Sequence, residues 1–78
     1  MMSVKKMIDL YIANELSETT WNMMYQMRNH GLISWDNWTK FFNKCEGWSL
    51  SRDGQSVEDA DGRIIYTRNA DGFLVKVA

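Results

Sequence analysis

The chain has 78 residues, nine basic and ten acidic side chains, a formal charge of −1, ten aromatics, six methionines and no proline. A chain of this length has room for one compact domain (residues 1–78) of about 11–12 Å radius, so a deep enclosed pocket is disfavoured once its core is filled. The charge is balanced along the chain. Residues 1–46 carry five of each sign, and residues 47–78 carry four basic against five acidic, so bulk charge announces neither nucleic acid nor a membrane surface.

Val4, Met7, Ile8, Tyr11 and Glu15 recur on one side of a helix, with Leu10 and Ile12 widening the apolar face. This predicts a first helix over about 3–14, capped by Ser3. Asp9 interrupts the early apolar run before it reaches signal-peptide length, and no stretch approaches a membrane span. The single cysteine, Cys45, allows no internal disulfide. Together these features lead to the expectation of a soluble, cytoplasmic protein.

Leu16-Ser17-Glu18-Thr19-Thr20-Trp21 is echoed seventeen residues on by Ile33-Ser34-Trp35-Asp36-Asn37-Trp38. Each stretch reads as a helix start: a serine cap, an acidic residue in the first turn, and an apolar pair placed as a hydrophobic staple. They predict helices over about 17–30 and 34–46, ended by Gly31 and Gly47 and forming a helical hairpin. Trp21, Met23, Met24, Tyr25 and Met27 cover so much of the second helix that it is expected to be the central one. Trp35, Trp38, Phe41, Phe42 and Cys45 form one face of the third.

From Trp48 the period becomes alternating. Asp53-Gly54, Asp61-Gly62 and Asp71-Gly72 read as turns, giving an antiparallel meander of three to four short strands over about 47–51, 56–59, 63–68 and 73–77. Helices grouped before strands make an α+β fold. Asp59-Ala60-Asp61-Gly62-Arg63-Ile64-Ile65 recurs ten residues on as Asn69-Ala70-Asp71-Gly72-Phe73-Leu74-Val75. The Asp59–Arg63 turn resembles the short Asp-x-x-Gly-Arg hairpins of YD-repeat proteins, a resemblance that implies a hairpin and no particular function.

No nucleophile elbow, phosphate loop, zinc spacing or histidine–glutamate helix motif occurs. His30 beside Gly31 suits a helix C-cap. Cys45 shares its face with Trp38 and Phe41 and reads as a small core residue. Asp59, Asp61, Asn69 and Asp71 fit turn chemistry better than calcium, because an EF-hand register would put Val57 and Arg68 at ligand positions. No enzyme, cofactor or metal is expected. Two binding readings remain. The first is a stoichiometric inhibitor or modulator of a larger protein, of the accessory type carried by phages and mobile elements. It would bind through Trp35, Lys40, Lys44 and Trp48, with an open strand edge at 73–77, as a monomer or weak homodimer. The alternative is a winged-helix-like DNA-binding regulator using Asn37, Lys40, Asn43, Lys44, Arg63 and Arg68.

Overall fold

A computed structural model describes residues 1–77. Three helices precede a four-stranded antiparallel sheet, an α+β architecture. Backbone contacts divide the chain into two compact units, residues 1–45 and the residues from Glu46 onward. No helix among the described residues is long and apolar enough to cross a membrane.

In the first unit each helix begins at its serine. Helix α1 spans Val4–Ala13, with Ser3 Oγ accepting from the Lys6 N–H. Helix α2 spans Glu18–Asn29, with Ser17 Oγ accepting from the Thr19 N–H. Helix α3 spans Trp35–Cys45, with Ser34 Oγ accepting from the Asn37 N–H. These bonds satisfy amides that the first turn of a helix leaves unpaired. Between α1 and α2 the chain turns through Glu15 and Leu16, both left-handed at φ 53° and 58°. The Leu16 N–H closes the turn on Tyr11 O at 2.9 Å.

The core of this unit is Met7, Tyr11 and Ile12 from α1, Thr20 and Met24 from α2, Ile33, and Trp38, Phe41 and Cys45 from α3. Tyr11 and Phe41 meet edge to face, with ring centroids 5.7 Å apart, a geometry aromatic quadrupoles favour. Helix α3 packs most extensively on α1. The expectation of a central α2 is therefore corrected. At about 100° per residue, Met23 and Tyr25 lie on either side of Met24, so burying Met24 leaves both flanking side chains exposed.

In the second unit β1 (Ser49–Leu50), β2 (Ser56–Glu58), β3 (Ile64–Arg68) and β4 (Leu74–Lys76) pair in chain order. The meander therefore has four strands. Val57 lies opposite Tyr66 but Glu58 opposite Ile64, a one-residue shift that makes Ile65 the extra residue of a β-bulge. Alternation puts Trp48, Leu50, Val57 and Tyr66 on one face. Trp48 and Tyr66 are in ring contact at 5.7 Å, and Val57 is fully buried.

The duplicated turn sequence produces the same bonding twice. Asp59 Oδ1 accepts from the Asp61 and Arg63 N–H groups, and Asn69 Oδ1 from those of Asp71 and Phe73. In each turn the glycine N–H donates to the backbone oxygen of the leading Asp or Asn, Gly62 to Asp59 and Gly72 to Asn69. Turn chemistry thus accounts for Asp59 and Asn69, as their spacing suggested. Gly47 ends α3 at φ 84°, and a Cβ there would lie 2.8 Å from the Cβ of Ala60. Only glycine fits that position without a shift.

Candidate functional site: an aromatic seam capped by arginine

Trp21, Tyr25 and Arg28 stand at i, i+4 and i+7 on α2, and Trp35, Trp38 and Phe42 at i, i+3 and i+7 on α3. Both spacings place three side chains on one helical stripe. The two stripes interlock. Trp21 meets Trp38 at 5.5 Å and Phe42 at 5.7 Å, and Tyr25 meets Trp38 at 5.7 Å. At the far end the Arg28 guanidinium carbon lies 3.8 Å from the Trp35 ring centroid, 4.4 Å from that of Tyr25 and 5.4 Å from that of Trp38. One cation therefore sits against three negative ring faces.

Depth varies along the seam. Trp38 is 6% exposed, whereas Trp35 is 67% exposed. Tyr25 and Phe42 also reach the surface. Arg28 is half-buried. Its Nη2 donates to Asn29 Oδ1 at 3.0 Å, and its Nε is buried without a hydrogen-bond partner. Among the described residues no carboxylate stands within ion-pair distance of it. The guanidinium has five N–H donors, so one bond to Asn29 leaves capacity for an incoming acceptor. A position in the last turn of α2 also suits a cation at the negative helix end.

The other sequence-predicted residues fall elsewhere. Around α3, Lys40 is about 140° and Lys44 about 180° from Trp35, so neither lysine joins the seam. Lys40 pairs with Asp36 at 2.9 Å in solvent, and Lys44 and Asn43 are exposed. Asn37 is half-buried and its Nδ2 donates to Met2 O. Trp48 belongs to the second unit and lies against Tyr66. Arg63 is exposed at its turn. Arg68 ties two turns together, its Nε donating to Gly54 O at 2.8 Å and its Nη1 to Gly72 O at 2.9 Å.

Sequence reasoning singled out Trp35 but missed Arg28. The signal was present in the Trp21–Tyr25–Arg28 spacing, which puts a cation on the stripe of two aromatics. His30 is the exposed C-cap of α2, its N–H bonded to Gln26 O. Cys45 is buried, and burial pushes its thiol pKa up to about 12. It holds negligible thiolate near neutral pH. No group of three or more metal-ligating side chains gathers among the described residues.

Comparison of the chain with family models, curated proteins and solved structures finds no match in any of the three.

Proposed function

We propose that this chain is a non-enzymatic binding module that docks on a larger protein through the exposed end of the α2–α3 seam. Trp35 is the anchor, with Arg28 and Tyr25 beside it. The observation that carries the reading is Trp35 itself, mostly in solvent while its ring carries a guanidinium at 3.8 Å. A large aromatic left exposed gives up most of the burial free energy available to it in the free chain. A partner pocket that covers it recovers that free energy. Trp, Tyr and Arg are also the residue types that dominate interface energetics. The stack fixes the Arg28 fork before binding, which reduces the ordering cost of association. The partner surface that fits is an apolar pocket with a carboxylate at its rim, placed to accept from Arg28.

A chain of 78 residues that acts by occupying such a surface modulates its target stoichiometrically, in the manner of phage or mobile-element accessory proteins. Lys40 and Lys44 lie on the opposite side of α3 and take no part. The test is affinity capture from the native cell with wild type, Trp35→Ala and Lys44→Glu. Trp35→Ala should weaken recovery of a specific protein about 30-fold, equivalent to about 2 kcal/mol, and Lys44→Glu should leave it unchanged. Equal capture by all three would refute the assignment.

A further inference from the structure

Asp53-Gly54, Asp61-Gly62 and Asp71-Gly72 occupy the same place in three turns. The Gly54 N–H donates to Ser51 O at 2.9 Å, that of Gly62 to Asp59 O at 3.0 Å, and that of Gly72 to Asn69 O at 3.0 Å. The glycines share left-handed φ values of 73°, 81° and 83°, and all three aspartates are exposed. Backbone shape and solvent access are therefore matched, and the turns differ in what holds the aspartate.

In the first turn Asp53 Oδ1 accepts from the Ser51 hydroxyl at 2.6 Å and from the Gln55 N–H at 3.1 Å. Ser51 is itself fixed, because its Oγ accepts from the Ser56 N–H. In the other two turns the leading residue takes over the bonding, and Asp59 and Asn69 each accept from two amides. The Asp61 and Asp71 carboxylates are left with no hydrogen bond or ion pair among the described residues.

An aspartate before glycine is labile when its carboxyl can swing onto the next amide. The glycine nitrogen attacks Cγ of the protonated carboxyl, an N–Cγ bond forms and the C–OH bond breaks. The amide proton and the hydroxyl leave as water, closing a five-membered succinimide. Water then adds back: cleavage at N–Cγ restores aspartate, and cleavage at the main-chain carbonyl gives isoaspartate. Water is the only co-reactant, and nothing is oxidised or reduced. Glycine favours the attack because no Cβ crowds the ring. Asp59 and Asn69 precede alanine instead. Release of the glycine N–H from its turn bond is needed equally at all three Asp-Gly sites.

We propose that Asp61 and Asp71 are sites of spontaneous isoaspartate formation in the folded chain, and that the Ser51 hydroxyl and the Gln55 amide protect Asp53. To react, Asp53 must give up two bonds to its charged oxygen. Those bonds, that from Ser51 foremost, also hold its carboxyl below the ordinary carboxylate range, which depletes the protonated form from which water departs. Conversion at Asp61 or Asp71 adds a methylene to the main chain in the β2–β3 or β3–β4 turn. This proposal is independent of the Trp35 surface.

The test is incubation of the full chain at neutral pH, folded and in urea, followed by electron-transfer fragmentation of its tryptic peptides. Fragmentation assigns isoaspartate to a numbered residue. In the folded chain Asp61 and Asp71 should convert about tenfold or more faster than Asp53, the effect of one charge-assisted hydrogen bond. In urea the gap should close. Ser51→Ala should bring Asp53 up toward the rate of Asp61; if that variant unfolds, the comparison of folded and unfolded wild type carries the test. A folded wild type in which Asp53 keeps pace with the other two, or in which none of the three converts, overturns the proposal. So does a gap that persists in urea, or a folded Ser51→Ala variant whose Asp53 stays slow.

Discussion

Replacing Trp35 by alanine separates a binding residue from a packing residue, and the structure sets the size of the effect. About one third of the Trp35 surface is covered. A large aromatic side chain offers up to about 250 Å², so about 80 Å² of burial is at stake. At about 25 cal/mol per Å² that is about 2 kcal/mol, an upper value because the unfolded chain already hides part of the surface. Loss of the exposed cation–π contact with Arg28 adds about 0.5–1 kcal/mol. Alanine at the start of α3 returns about 0.5 kcal/mol of helix propensity. With burial at that upper value the net cost is about 2–2.5 kcal/mol.

Trp38 is the internal control. It is 6% exposed and touches Trp21, Tyr25, Phe41 and Phe42, so Trp38→Ala should cost about 3–5 kcal/mol. Urea unfolding followed by far-ultraviolet circular dichroism measures both. With a slope of about 1 kcal/mol per M, Trp35→Ala should lower the midpoint by about 2–2.5 M. A double-mutant cycle with Arg28→Ala should return a coupling of about 0.5–1 kcal/mol. If Trp35→Ala costs as much as Trp38→Ala, Trp35 is a structural residue and the reasoning fails.

Two further predictions address the scaffold. Gly47→Ala should destabilise by about 2–4 kcal/mol, because it combines left-handed strain of about 1–2 kcal/mol with a 2.8 Å approach to Ala60 Cβ. Gly31→Ala meets nothing within 4 Å and should cost only the strain; equal losses in a melting comparison would refute the steric argument. Cys45 should resist alkylation in the folded protein at pH 8, reacting only through unfolding. Because burial raises its pKa from an ordinary thiol value to about 12, the folded state holds that proton where the unfolded state releases it. Stability from this site is thus complete below about pH 9 and declines between about pH 9 and 12, and Tyr11, raised in the same direction by burial, adds to the fall. Cys45→Ala should flatten the alkaline limb measured by pH-dependent chemical unfolding; an unchanged limb would contradict the assignment.

What the sequence disclosed most clearly was boundaries. Ser3, Ser17 and Ser34 cap helices because a serine oxygen is the nearest acceptor for first-turn amides, and the Asp-Gly turns follow from left-handed glycine and side-chain–backbone bonding. These are local effects, so a sequence displays them. The orientation of α2 is not local. Its apolar residues spread around the circumference, and packing decided that Met24 would be buried and Tyr25 would not. Arg28 was overlooked for the same reason, since its three ring contacts come from two helices. The bulge at Ile65 also escaped the pattern, because a one-residue shift between β2 and β3 leaves no mark in a run of β-branched residues. Lys40 and Lys44, expected to bind together with Trp35, lie about 140° and 180° from it around α3.

The proposed binding of a protein partner rests on the Arg28–Trp35 end of the seam. Its most direct test is quantitative capture from the native cell with wild type, Trp35→Ala, Lys44→Glu and a nuclease-treated sample. One protein species should be recovered, about 30-fold depleted by Trp35→Ala and indifferent both to Lys44→Glu and to nuclease. Capture that survives Trp35→Ala but disappears with Lys44→Glu or nuclease would contradict it, and would place the binding surface on the lysine side of α3.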